Sequence, residues 1–421
     1  MKRRDVIKGG VKFGLGSALY SVLNRKSLAF SGEETLYADA NGLLQVPSGF
    51  SVKLIQRAGE RMSDGYRMPG KPDGMACFQG EDNTIVLMRN HELSSFYQLD
   101  NEEHTAYEAE KAPNLAYDRA SAGGVSRLVF DPDTLEILHS NMVLAGSERN
   151  CAGGISPWGY LTCEETVSSG HGYVFLCSTS ADSLREPRPI KCYGRFNHEA
   201  AVVDPNTHIA YLTEDRSDGC FYRFVPNEFD KPFTGKLQAL GIKNRPRLDT
   251  DDMDLDDNYE VEWIDLPRQG SSDNLRYMAR DRGAARVKRG EGIWLHDGVV
   301  YFSATSGGPR NKGQIFGLNI NSGSDDLLNL VVQADRNNSL DMPDNITVCP
   351  SGNIFVAEDG RGSNYIRVIN QQRNMFTFAK NIYSRSEIAG LTFAPSGKTL
   401  FLNLQHDGIT LAVTGPFDQY S

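Results

Sequence analysis

Short apolar runs with period-2 alternation, bounded by Gly, Pro, Asp and Asn, dominate the chain after residue 29, and helical periodicity is scarce there. Several runs follow one plan of strand, tight turn and strand. Val125–Phe130 leads through Asp131-Pro132-Asp133-Thr134 to Leu135–Leu138, and Ala200–Val203 leads through Asp204-Pro205-Asn206-Thr207 to Ile209–Leu212. Ile346–Val348 and Ile354–Ala357 flank Pro350-Ser351-Gly352-Asn353, while Leu391–Phe393 and Thr399–Leu402 flank Pro395-Ser396-Gly397-Lys398. Pro suits the second position of a turn, and Gly or Asn tolerates the positive φ that follows. Each pair predicts a β-hairpin.

Six strands end alike, with an apolar run that delivers polar residues at its C-terminal end. They are Ile85–Glu92, Tyr160–Glu165, Ile209–Asp215, Val299–Thr305, Ile354–Asp359 and Thr399–His406. Six units over the chain after residue 29 give roughly 65 residues each, workable for four-stranded blades with long loops. The pattern predicts an all-β chain, residues 30–421, folded as one six-bladed β-propeller domain; a pair of β-sandwiches is the alternative, because the spacing is uneven. Gly241–Gly290 is the least strand-like stretch. Its acidic run Asp249–Asp257 lacks the Gly and closing Glu of an EF-hand loop, so a solvated insertion is expected at about 241–290.

Residues 1–29 are set apart from the fold. Arg3-Arg4-Asp5-Val6-Ile7-Lys8, an apolar stretch from Gly9 to Leu23 and Ser27-Leu28-Ala29 follow the pattern of a twin-arginine signal, with a basic amphipathic helix as the alternative. This implies the twin-arginine export machinery as a partner and a periplasmic or secreted location. No apolar run reaches the roughly 18 residues of a spanning helix, so no stable membrane anchor is expected, and the chain is expected to act as a monomer.

Charge then narrows the chemistry. The 421 residues carry 44 Lys+Arg and 54 Asp+Glu, and removing residues 1–29 leaves 37 basic against 53 acidic side chains. Such acidity disfavours nucleic acid as a partner. The seven Cys include no C-x-x-C pair, and their odd number leaves at least one sulfur free, buried or on a metal.

Acidic residues at strand ends need a reason, since clustered carboxylates repel and a buried one is costly without a cation or hydrogen bonds. If propeller strand ends meet at a central channel, Glu92, Glu164, Glu165, Glu199, Glu214, Asp215, Glu291, Asp344, Glu358 and Asp359 form a hard-oxygen nest for di- or trivalent ions. Each alone is equally a turn or surface residue. Cys151, in the Gly-rich loop Asn150–Gly159, is by default a small buried thiol; beside carboxylates it would suit a transition metal such as iron. Cys163 is the weaker candidate. His91-Glu92 and His198-Glu199 lack the second His of H-E-x-x-H, and no G-x-S-x-G or P-loop motif is present, so both His read as structural. Arg289, two residues before Glu291, is the best oxyanion clamp. Arg195 and Arg216 flank other acidic clusters, where a salt bridge is the simpler role; Arg195 and Asn90 remain candidate substrate contacts.

Taken in order, Arg89–Glu92, Asn150–Gly154 with Pro157-Trp158-Gly159 and Leu161–Glu165, Gly194–Ala201, Glu214-Asp215-Arg216, Arg289–Gly292, Pro343-Asp344-Asn345, Ala357–Gly360 and Phe401–His406 with Thr414-Gly415-Pro416 resemble the PhoX-type bacterial alkaline phosphatases. The resemblance spans nearly the whole chain after the signal segment. It implies a six-bladed propeller, twin-arginine export and hydrolysis of phosphomonoesters at a cluster of Fe3+ and Ca2+. Carried over by motif, Cys151 would ligate iron, with Glu92, Glu164 or Glu165, Glu199, Glu291 and Asp344 completing the metal shells, and Arg289 would hold the phosphoryl group beside Glu291. Gly290 stands where Pro is expected in that Arg-x-Glu motif. A calcium-dependent propeller lactonase, or a non-catalytic propeller fastened by calcium, is the alternative; neither calls for Cys151 or Arg289.

Overall fold

The four predicted hairpins are present in the computed structural model, which describes residues 35–420 apart from 101–102, 268–273, 321–324 and 337–339. Gly123–Phe130 pairs with Ile137–Ser147, His198–Val203 with Ala210–Glu214, Pro343–Val348 with Ile354–Glu358, and Ile388–Phe393 with Thr399–Leu404. The first turn closes on its own side chain. Asp131 Oδ1 accepts from the backbone N–H groups of Asp133 (3.0 Å) and Thr134 (2.8 Å), the local bonding that makes Asp a turn former. The twin-arginine segment expected at residues 1–29 lies outside the described residues.

The protein is all-β, with one seven-residue α-helix, Leu275–Asp281, among the described residues. Six strands come first in successive antiparallel meanders: Pro72–Gln79, Gly154–Ser156, His198–Val203, Gly290–His296, Pro343–Val348 and Ile388–Phe393. Each touches the next, and the last touches the first, so they close a circuit. A cavity of about 230 Å3 lies inside it, walled by Met75, Ile155, Val202, Ile293, Ile346 and Leu391, one from each strand. The arrangement is propeller-like. Apolar side chains on alternate strand faces fill the space between neighbouring meanders, as where Phe221, Phe302 and Phe316 stack across two of them with ring centroids 4.4 and 5.0 Å apart.

Hydrogen bonding departs from six separate sheets. The ladders form five, of six, three, nine, four and four strands. The cause lies in the segment expected to be a solvated insertion, which contains the strand Asn258–Asp265. One edge of that strand pairs with Gly235–Ile242, and its first residues pair with Leu327–Gln333 of the next meander, fusing two units into the nine-stranded sheet. The acidic run here is held by its basic neighbours: Arg286 bridges Asp249 and Asp251, and Lys288 lies 3.3 Å from Asp251.

The circuit is closed from both ends of the chain. Ser51–Arg57 is the fourth strand of the C-terminal sheet, against Ile409–Thr414, and Leu44–Pro47 pairs with Met375–Asn381. Among the described residues no helix is long and apolar enough to cross a membrane.

Candidate metal centre

One backbone device recurs around the circuit. In five of the six first strands the pairing register slips after a paired residue: after Pro72, His198, Gly290, Pro343 and Ala389. Such a bulge adds a residue and re-aims its side chain. The residues that follow those pairs are Asp73, Glu199, Glu291, Asp344 and Gly390. In the remaining unit Asn150 bridges Glu164 and the next pair is Gly154 with Leu161, so three residues oppose two and Cys151 takes the equivalent place. Five units therefore set a metal-capable side chain at one register. The sixth has Gly390, where an added Cβ would lie 2.3 Å from the Asp73 carbonyl oxygen, and supplies Glu387 from three residues earlier. Gly74 is needed for the same reason: a Cβ there would lie 2.2 Å from the Ala152 carbonyl oxygen.

These side chains meet in four overlapping groups. They are Asp73, Glu92 and Cys151; Cys151, Glu165 and Glu199; Glu199, Glu291 and Asp344; and Asp344, Asp359 and Glu387, with the ligand atoms of each group within 4.8 Å of one another. Asp73, Cys151, Glu199 and Glu291 are buried; the others are half-buried. The groups thus bring together Glu92, Cys151, Glu165, Glu199, Glu291, Asp344 and Asp359 from the sequence-derived set and add Asp73 and Glu387.

Glu164, Glu214 and Glu358 fall outside these groups, and strand alternation explains why. Each stands next to an acidic residue that does turn to the centre, and consecutive residues of an extended strand point to opposite sides. Glu164, expected as a metal ligand, instead accepts from His171 Nδ1 (2.7 Å) and from the N–H groups of Glu148 (3.0 Å), Gly172 (2.8 Å) and Tyr173 (3.2 Å). Glu214 accepts from Tyr222 Oη (2.8 Å) and Cys220 N (3.1 Å). Glu358, also expected on metal, instead bridges Arg367 (2.9 Å) and Asp341 N (3.1 Å). Asp215 turns inward but pairs with Arg289.

Electrostatically the centre is unbalanced. Burial, then repulsion from neighbouring carboxylates, pushes Glu199 and Glu291 well above the usual carboxylate range, and Asp73 up to about 8. Glu387 is driven up to about 11 by burial, Asp344 and Asp359. Glu165 rises to about 7 through burial although Arg149 opposes it. Burial and the surrounding carboxylates also raise the Cys151 thiol. Eight carboxyl groups and a thiol thus share a small volume, and among the described residues the cations bonded to them are Arg149 and Arg289. The donors fit multivalent cations: oxygens for hard ions throughout, with one sulfur at one side.

Arg289 grips Asp215 through Nε (2.8 Å) and Nη2 (3.0 Å), and Nη2 also reaches Glu291 Oε1 at 2.7 Å. Arg149, which carried no weight in the sequence, joins Glu92 (2.8 Å) and Glu165. The two expected substrate contacts Asn90 and Arg195 are committed elsewhere. Asn90 is fully buried and donates through Nδ2 to the carbonyl oxygens of Cys151 and Ala152 (2.6 Å for the latter), which holds the Cys151 loop. Arg195 is spent on the carbonyl oxygens of His171 (2.7 Å), Val167 and Ser168 (2.7 Å). His91, bonded to Ser126 (2.8 Å), and His198, stacked on Phe196 with centroids 3.6 Å apart, lie outside the four groups, and Cys163 packs in a hydrophobic cluster.

A family profile described as Alkaline phosphatase PhoX matches residues 31–133 and 133–408. No curated protein matches. Among solved structures the chain is similar to Pseudomonas fluorescens PhoX in complex with vanadate, a transition state analogue, with 18% identity and a TM-score of 0.71, over 92% of this chain and 98% of that one. It is also similar to a gluconolactonase from Xanthomonas campestris, with 11% identity and a TM-score of 0.46 over 92% and 99% of the two chains. A streptogramin B lyase follows, with 12% identity and a TM-score of 0.42 over 87% and 98%. Because the family profile covers residues 31–408, well over half of the chain, the chain belongs to the PhoX alkaline phosphatase family.

Proposed function

We propose that this phosphatase hydrolyses phosphate monoesters at an iron–calcium cluster held in the channel, without a covalent side-chain nucleophile. The observation that carries the reading is the chain of four ligand groups with Cys151 at one side and carboxylates elsewhere. Cys151 with Glu165 and Glu199 would hold Fe3+, and the oxygen-only groups of Glu199, Glu291, Asp344, Asp359 and Glu387 suit Ca2+; Asp73 and Glu92 complete the side shared with Cys151. When bound, these ions supply Lewis-acid stabilisation of the phosphoryl charge and activate the hydrolytic nucleophile. Arg289 and Glu291 carry the chain's part of the chemistry. Glu291 fixes the Arg289 guanidinium, and Arg289 presents its remaining donor to a phosphoryl oxygen.

The scaffold is read as six-bladed, supported by the closed circuit of six first strands and by the bulge repeated among them. Residues 1–29 are read as a twin-arginine signal, which places the mature enzyme, residues 30–421, in the periplasm or outside the cell, with small phosphate esters as its partners and a monomer as its working state. A calcium lactonase reading leaves Cys151 and Arg289 without a role.

The test is elemental analysis of the purified protein combined with a chromogenic phosphomonoester assay before and after chelation. Iron together with calcium, chelator-sensitive turnover and inhibition by vanadate are expected. Calcium alone, or turnover indifferent to chelation, would overturn the proposal.

A further inference from the structure

Two arginines hold the same place in two different units of the circuit. Arg149 lies two residues before Cys151, and Arg289 two residues before Glu291. Both are left-handed, at φ 49° and 54°, as are Lys71 (42°) and Met342 (56°) two residues before Asp73 and Asp344. The left-handed step recurs at four of the six positions and there turns the chain into the bulge, at the backbone cost such a conformation carries in a non-Gly residue.

What Arg149 and Arg289 add is matching use of the guanidinium. In each, Nε and Nη2 are engaged: Arg149 Nε donates to the Glu165 carbonyl oxygen (3.1 Å) and Nη2 to Glu92 (2.8 Å) and Glu165, while Arg289 uses the same two nitrogens on Asp215 and Glu291. In each, Nη1 has no hydrogen-bond partner among the described residues, and the side chain is partly exposed, 39% for Arg149 and 31% for Arg289. Arg149 is bonded to members of the first two ligand groups and Arg289 to a member of the third, and Glu199 links the second group to the third.

Building on the phosphatase reading, we propose that Arg149 is a second clamp on the phosphoryl group, which makes the enzyme selective for dianionic monoesters over monoanionic diesters. A monoester at neutral or alkaline pH presents three non-bridging oxygens bearing two negative charges; a diester presents two bearing one. Two fixed guanidinium cations, each with its Nη1 group open, match the two negative charges of the first; the single charge of the second leaves one cation without a counter-charge. Carboxylates already hold both guanidiniums in place, so little rotamer entropy is lost on binding.

The test compares the metal-loaded wild type with Arg149→Gln and Arg149→Lys. It measures kcat/KM on a chromogenic monoester and the matching diester, inhibition by vanadate, and metal content. For R149Q a roughly 10- to 100-fold loss is expected on the monoester, less than about 3-fold on the diester, with vanadate inhibition weakened in step with the monoester loss and metal content unchanged; R149K recovers part of the monoester rate. Equal losses on both esters, unchanged kinetics, or loss of metal from R149Q would overturn the proposal, the last assigning Arg149 to tethering the ligands. A wild type that holds its metals yet hydrolyses neither ester would instead defeat the phosphatase reading.

Discussion

The Cys151 sulfur lies 3.4 Å from Glu165 Oε2, so the one thiol of the centre and a strand-end carboxylate face each other across the open end of a short hairpin. Thiolate selects a softer metal than carboxylate does. Cys151→Ser is therefore expected to lose most of its iron while keeping calcium, whereas Cys163→Ala, in the hydrophobic cluster, keeps both and loses only packing stability. Inductively coupled plasma mass spectrometry of the two purified variants decides it; retention of iron by C151S would remove the sulfur from the ligand set.

Glu164 and Glu165 should separate stability from activity. Glu164 is fully buried and accepts from three backbone N–H groups and a histidine, so Glu164→Gln points an amide donor at other donors, costing about 2–4 kcal/mol in urea unfolding. Glu165→Gln removes one of several crowded charges. It should leave the metal-free protein about as stable as before and lower phosphatase activity by about 100-fold. The reverse pattern would mean that the two side chains had exchanged roles.

Metal removal should expose a pH dependence of unusual sign for carboxylates. Their protons bind more tightly in the folded chain than in the unfolded one, where the pKa lies near 4. The stability they contribute is complete below about pH 4 and is lost as pH climbs through the folded values, about 7 for Glu165 and about 8 for Asp73, with Glu387 continuing towards about 11. Thermal midpoints in chelator should fall steadily from pH 5 to pH 9, and excess calcium should flatten the slope. Midpoints that hold level or rise in chelator would contradict the crowding of charge described above.

Gly390→Ala probes the bulge register directly. The position has φ 67°, and the added methyl would stand 2.3 Å from a backbone oxygen of the strand carrying Asp73, which cannot swing aside as a side chain could. A loss of more than about 2 kcal/mol in unfolding free energy is expected, together with weakened metal retention. A variant with wild-type stability and metal content would show that the two strands are not in register contact.

Much of this was legible in the sequence because it is local. Alternation and turn chemistry gave the hairpins, and the strand-end acids gave Glu92, Glu165, Glu199, Glu291, Asp344 and Asp359. Doublets such as Glu164-Glu165 and Glu358-Asp359 were ambiguous, because which member faces inward depends on the residue at which the strand leaves its ladder. Asp73 stands outside the strand-end pattern, in Lys71-Pro72-Asp73-Gly74, although Pro343-Asp344-Asn345 repeats its Pro-Asp step before a strand. Arg149 had a comparable signal, its spacing to Cys151 matching that of Arg289 to Glu291. Glu387 breaks the register and had none. The fused nine-stranded sheet depends on edge pairing between distant segments, which no local pattern encodes.

Ile409–Thr414 pairs with Ser51–Arg57, so one sheet of the ring is stitched from segments far apart in the chain, 363 residues in the case of Ser51 and Thr414. Contacts of such separation carry a large loop-closure cost, and without them the ring of first strands stays open and its acids stay apart. The register that gathers the acids is therefore a property of the closed ring and not of any one meander.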